Sequence, residues 1–214
     1  MIYIEKYISP TKFNRYAITP QSHFDDMPSD VKKELRRSLL AEQGYLCAYC
    51  MKRIDEEHVK IEHYEPRSPE NELEYGNLFA VCSGGEGTEW KYQTCDSHKG
   101  NHVIHINPQR QSDIDTLSYD SNGYIYSKSP VFQDDINKIL NLNSDDAYGL
   151  LPNNRRQTLQ SFKNNLYHKL KQKSASERYL NKLLSHYSSK NENGRYLPYC
   201  GIIIWYLKKR IGRI

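Results

Sequence analysis

No stretch of this chain approaches the roughly 18 consecutive apolar residues that a bilayer-spanning helix needs, so a membrane-spanning helix is not expected. The opening M-I-Y-I-E-K-Y carries an acid early and lacks a long apolar run, which argues against a secretory leader. Internal repeats and long low-complexity segments are absent, and so is any helix-turn-helix or comparable base-reading motif. Tight sequence specificity toward a nucleic acid is therefore not expected. Acids are scarce toward the C-terminus: from Arg155 to Ile214 there are 14 Lys and Arg against only Glu177 and Glu192. These absences leave a soluble, cytoplasmic protein as the expectation, and 214 residues suffice to bury a core. In such a compartment thiols stay reduced, so the five cysteines point to metal ligation rather than disulfides.

The charge is unevenly spread. The first 154 residues hold 16 Lys and Arg against 24 Asp and Glu, while the C-terminal third is strongly basic. That asymmetry suits a polyanion, and it equally suits a solvated helical face packed against an acidic neighbour.

Periodicity divides the chain into three stretches. Residues 1–28 carry aromatics and three prolines without helical period, and read as an extended arm able to dock a partner, with a short strand at Ile2 to Tyr7. Residues 29–105 begin with a helix capped by Ser29 or Asp30, with Val31, Leu35 and Leu39 on one face and Gly44 as its stop. Short strands are expected near Ile54 and from Val59 to Ile61, and a loop from Ser83 to Gly87. Residues 106–214 read as mainly helical. S-N-G at Ser121 to Gly123 marks a hairpin over Leu117 to Tyr126, and helices are expected over Asp134 to Leu142, Asn154 to Lys173 and Ser176 to Tyr187. The segment G-I-I-I-W-Y-L after Cys200 is expected as a buried helix, with Cys200 a buried thiol.

Four cysteines fall in the central stretch. A two-residue gap lets both sulfurs of Cys47-Ala48-Tyr49-Cys50 reach one ion, and Cys82 and Cys95 complete a tetrahedral zinc set. Four thiolates leave no open coordination position, so this zinc is expected to brace the fold. His98 is a substitute ligand should Cys82 or Cys95 not bind.

Between these cysteines lies I-E-H-Y-E-P, Ile61 to Pro66. Adjacent residues on an extended backbone face opposite ways, so a turn or bulge is needed to bring Glu62 and His63 to one site. A histidine can accept a proton from water near neutral pH. Glu62 and Asp96 offer the hard oxygens that Mg2+ or Mn2+ prefers. These residue types match phosphodiester hydrolysis, where a base activates water and a divalent ion stabilises the charge that develops.

In their order, C-x-x-C, E-H, N-L-x-x-x-C and C-D-x-x-K resemble an HNH endonuclease of the zinc-braced, ββα-metal type. The resemblance implies an α+β protein with a ββα-metal core embedded in a mainly helical chain. It implies His63 as general base, Glu62 as a ligand of the catalytic metal and Asn77 as the residue holding the loop that positions the base. The last motif letter falls on Asp96, where His or Asn is more usual, with His98 as the competing candidate. Lys99 fits the trailing basic residue and is expected to touch phosphate. The stretch L-L-A-E-Q-G-Y-L-C-A-Y-C, the L-N-L-N at Leu140 to Asn143 and the pair Asn154-Arg155 narrow the likeness to the HNH nucleases of retron and Septu-type anti-phage systems, the Septu nuclease subunits of the PtuB family above all. For these the resemblance implies an ABC/SMC-like ATPase partner, PtuA, or a retron reverse transcriptase with its msDNA. It implies DNA as the substrate, with RNA or tRNA as the retron alternative, structural zinc, and catalytic Mg2+ or Mn2+. The contrasting expectation is a non-catalytic zinc module that binds nucleic acid or protein.

Overall fold

A computed structural model describes residues 1–171 and 175–212, a mixture of helices and two small antiparallel sheets. The first long helix is α2, Ser29–Glu42, which buries Val31, Leu35, Leu39 and Leu40. No side chain caps it; Pro28 precedes it and Asp30 lies in its first turn, where a negative charge suits the helix dipole. Gly44 ends it at a φ of +57°, and a Cβ there would collide with the ring of Tyr196.

The N-terminal arm differs from the extended form expected of it. Thr11–Ala17 forms α1, which packs on α2. The expected strand at Ile2 to Tyr7 does not form, because it finds no ladder: Ile4 N–H donates once, to Pro108 at 2.8 Å. Met1, Ile4 and Phe13 are buried, so the segment is part of the core.

After α2 an isolated bridge between Leu46 and Arg53 closes the C-x-x-C loop. Strand β1, Lys60–His63, then pairs antiparallel with β2, Leu78–Val81, in the register Lys60 to Val81 and His63 to Leu78. All of β2 is buried. The Gln43 side chain acts in place of a further strand, accepting from Ala80 N–H at 2.8 Å and donating to Ala80 O at 2.7 Å. A five-residue helix, α3, Cys95–Lys99, follows.

The remaining elements form the surround. Helix α4 is Gln111–Ile114, and the expected hairpin is present as β3, Leu117–Tyr119, and β4, Ile125–Ser127. The helix expected over Asp134 to Leu142 starts earlier, as α5, Pro130–Asp134, and continues as a π-helical turn over Asp135–Ile139. Pro130 sets the start, and the buried Asp135 carboxylate is drawn to the His105 and Ile106 amides at 2.7 and 2.9 Å. Helix α6 spans Leu151–Leu170, starting earlier than expected because Pro152 suits a first turn. Lys173, the expected end of that helix, lies outside the described residues. Helices α7, Glu177–Tyr187, and α8, Cys200–Arg210, pack together, and α8 also packs on α6. The G-I-I-I-W-Y-L segment is helical as expected, with Gly201, Ile202, Ile203 and Leu207 buried and Ile204, Trp205 and Tyr206 half-buried, and no helix among the described residues is long and apolar enough to cross a membrane.

Candidate active site and metal centre

The four central cysteines converge. Cys47 and Cys50 sit on the turn closed by the Leu46–Arg53 bridge, Cys82 directly follows β2, and Cys95 opens α3. Their sulfurs all lie within 4.8 Å of one another, with Cys47 to Cys95 at 3.9 Å and Cys50 to Cys82 at 3.8 Å. Tetrahedral zinc with bonds of about 2.3 Å requires sulfurs about 3.8 Å apart, so the set fits that ion. Contact with Cys47, Cys50 and Cys95 holds the Cys82 thiol well below its usual value, while contact with Cys47 and burial push Cys50 and Cys95 well above theirs. Metal binding at such a cluster releases thiol protons, so a divalent cation would take their place. The cluster can hold a structural metal such as zinc. Among the described residues it is the only group of three or more His, Cys, Asp or Glu side chains gathered this closely.

A second cluster lies beside it on the same framework. Glu62, on β1, is 5 % exposed. Its Oε1 accepts from the Tyr49 hydroxyl at 3.1 Å and pairs with Lys99 Nζ at 2.8 Å. Asp96, the residue after Cys95, hydrogen-bonds Glu62 and pairs with Lys60 at 2.8 Å. Burial and the Asp96 carboxylate push the Glu62 carboxyl up to about 8 against the pull of Lys99. Burial raises Asp96 too, but its bonds to Glu62 and Lys60 outweigh that and hold it below the usual range. The two acids thus divide into one that keeps a proton and one that loses it.

The bulge expected between Glu62 and His63 is not there. β1 runs regularly through His63 in register with Leu78, so the two side chains have separate neighbours. His63 meets the Phe24 ring edge-on at a centroid distance of 4.6 Å, and its Nε2 lies 3.0 Å from the Glu72 carbonyl. Burial lowers its pKa from the ordinary value, so the ring is neutral at pH 7. What joins the two faces is Lys99, whose Nζ also donates to the His63 carbonyl at 3.0 Å.

Asn77 immediately precedes β2. Its side chain accepts from Glu65 N–H at 2.7 Å and donates to Glu65 O at 3.2 Å, while its own carbonyl accepts from Tyr64 N–H at 2.8 Å. It therefore pins the backbone leaving His63.

No known family profile matches the chain. It is 34 % identical over 84 residues to the provisionally named HNH endonuclease of retron Ec83 from Escherichia coli, covering 33 % of each chain. It is 30 % identical over 128 residues to the provisionally named HNH endonuclease of retron Vc95 from Vibrio cholerae serotype O1 biovar El Tor, covering 55 % of this chain and 61 % of that one. The likeness is to HNH endonucleases of the retron type. The chain spans less than two thirds of the length of either relative.

Of the residues singled out in the sequence, the four cysteines come together, and Glu62 meets Asp96. His98 does not join them in a three-ligand group: its ring stacks on Trp90 at 3.9 Å, and Nδ1 lies 2.9 Å from the Ile139 carbonyl. Lys99, expected at phosphate, is instead 1 % exposed, with its ammonium committed to Glu62 and to backbone carbonyls. Cys200 is buried in α8, outside the cluster. Tyr49, Lys60, Phe24 and Glu72 were not singled out. Lys60 had a signal, since it stands two residues before Glu62 and so shares its face of the strand. Phe24 and Glu72 had none, being brought in from distant loops.

Proposed function

We propose that this chain is an HNH-type endonuclease that hydrolyses phosphodiester bonds, with β1, β2 and α3 acting as its ββα-metal unit. The observation that carries the reading is the pairing of buried Glu62 with half-buried Asp96, next in sequence to a neutral histidine, on a chain similar to retron HNH endonucleases. The donor set suits Mg2+ or Mn2+, which commonly bind through one or two carboxylates and complete their shell with water and substrate oxygens. Glu62 and Asp96 would hold that ion, which supplies stabilisation for charge developing on the phosphate and the leaving oxygen. A proton must leave Glu62 for it to serve as a ligand, and Asp96 is already ionised.

His63 is the base in this reading. With Nε2–H donating to the Glu72 carbonyl, Nδ1 is the free acceptor for a proton from water, the tautomer being assigned from that bond. Asn77 fixes the loop after the base. Zinc at Cys47, Cys50, Cys82 and Cys95 braces the strand end and the helix that carries Asp96. His98 serves as packing against Trp90 and Lys99 as an internal counter-charge. Phosphate contacts fall to exposed basic residues of the helical region such as Arg156, Lys169, Lys209 and Arg210, which act independently of sequence.

Duplex DNA is the substrate we favour, with RNA or tRNA as the alternative. The relatives' names support a retron setting, with a reverse transcriptase and msDNA as partners; a Septu-type setting would bring an ABC/SMC-like ATPase, PtuA. Cleavage of plasmid, single-stranded DNA and tRNA by the copurified complex with Mg2+ or Mn2+ tests the reading. His63→Ala should lose on the order of 10²–10⁴-fold in rate while retaining zinc and its unfolding midpoint. A wild-type rate in that variant removes His63 as the base. Absence of hydrolysis with every substrate and ion would instead favour a non-catalytic zinc module.

A further inference from the structure

Two motifs leave no trace in the reading above: L-N-L-N at Leu140 to Asn143, and Asn154-Arg155. The fold joins them. Arg155, on α6, is 0 % exposed and is among the largest fully buried side chains. Its Nε donates to Gly123 O at 2.5 Å, and its Nη2 donates to Leu142 O at 2.6 Å and to Asn143 Oδ1 at 3.3 Å. The same segment reaches the cysteines, because Cys95 N–H donates to Leu140 O at 2.9 Å. On the other side, Asn154 donates to the Tyr199 hydroxyl at 3.3 Å, and Tyr199 N–H donates to Met51 O, beside Cys50, at 3.1 Å.

This guanidinium is anomalous on its own. An unpaired charge in a protein interior is costly, yet among the described residues no carboxylate lies within ion-pair distance of Arg155. All its hydrogen-bond acceptors are neutral, and its Nη1 has no partner. Burial opposes its charge, and the groups acting in favour of that charge include the Tyr119 phenol and the thiols of Cys50 and Cys95. Four thiolates around one zinc carry a net negative charge that also needs compensation in an apolar setting.

We infer that Arg155 is a positioning residue of the metal centre: its buried positive charge compensates the negative tetrathiolate site and ties α6 to the cysteine cluster. This rests on the four-cysteine zinc reading. Two buried charges that are each unfavourable alone become acceptable together, so the helical region and the metal centre are expected to assemble as one unit. Partners outside the ligand set are typically worth about 10- to 100-fold in metal affinity.

The test uses the full chain loaded with zinc or with Co2+ as a spectroscopic probe. Arg155→Gln should weaken zinc about 10- to 100-fold in chelator competition and shift the thiolate-to-cobalt charge-transfer band. Arg155→Lys, which keeps the charge, should recover most of the affinity. Leu159→Ala, a buried apolar truncation on the same helix, should lower the unfolding midpoint yet leave the cobalt band in place. A zinc loss in Leu159→Ala equal to that of Arg155→Gln, with both bands unmoved, overturns the inference, since Arg155 would then be ordinary packing. Should Arg155→Gln not fold, the Lys variant decides: zinc affinity near that of the wild type supports the role, because the charge is kept, and a loss of about 10-fold or more refutes it. If the wild-type chain binds neither zinc nor cobalt, the zinc reading itself fails, which is a distinct result.

Discussion

Two clusters of metal-binding residue types share one β1–β2–α3 framework, and they are built in opposite ways. The cysteine cluster draws soft ligands from the C-x-x-C turn, the end of β2 and the start of α3, and its sulfurs already stand at zinc spacing. The carboxylate cluster has only Glu62 and Asp96, one of them protonated near neutral pH, and each is already paired with a lysine. The first is closed and complete, which suits a brace. The second is partial, its charge held by groups that can exchange for a cation and a substrate, which suits turnover. Adjacent sequence positions, Cys95 and Asp96, thus serve different clusters.

The largest expected effect breaks the first cluster alone. Cys82→Ser should abolish zinc retention and with it the cooperative unfolding transition, since the metal-binding free energy of such sites, about 10 kcal/mol or more, is folding free energy. Metal analysis and thermal unfolding check this; a stable, metal-free variant would show that the cysteines only pack.

Next comes the lysine inside the second cluster. Lys99→Met should destabilise by about 1–3 kcal/mol at neutral pH, because it leaves the buried Glu62 carboxyl and the His63 carbonyl without their donor. Adding Glu62→Gln to it should return much of that loss in urea unfolding. Equal losses in the single and double variants would mean that Lys99 does not hold the carboxylate.

A smaller effect follows pH. The Glu62 carboxyl stays protonated in the fold up to about 8, against an ordinary 4.5 when unfolded. Over that window the folded state holds the extra proton, so this group's contribution to stability falls as pH rises and levels off above the folded value. With zinc retained and no Mg2+, the midpoint difference between Glu62→Gln and wild type should grow in favour of the variant between those two limits. A flat difference would place Glu62 in a wetter setting than its 5 % exposure implies.

Smallest is the cover over the base. Phe24→Ala removes an edge contact worth about 0.5–1.5 kcal/mol. Since burial is the main cause of the lowered His63 pKa, that value should move up toward about 6.5. An NMR titration of the ring reads the shift, and no movement would assign the burial to other neighbours.

Much of the framework was legible in the chain. The 3.6-residue spacing of Val31, Leu35 and Leu39 named α2, Gly44 named its end, and S-N-G named the second hairpin. The C-x-x-C pair and two further cysteines named the brace. The N-terminal arm was not legible, because whether Ile2 to Tyr7 becomes a strand depends on a neighbour offering a ladder, and none does. The role of Lys99 was misjudged for a related reason: a lysine's sequence context does not tell whether its ammonium ends in water or beside a buried acid.

By itself, the sequence determined which residue types stand at which spacings, and so the longer helices, the second hairpin, the four thiols and the adjacency of Glu62 to His63. Only the tertiary structure decided which side chains share a neighbourhood. Strand geometry sent Glu62 and His63 to opposite faces, and chain crossings placed Asp96 and Lys99 on one and Phe24 and the Glu72 carbonyl on the other. Local pattern records the periodicity of a single element, whereas the pKa values, charge pairing and burial that make a site depend on segments far apart in the chain.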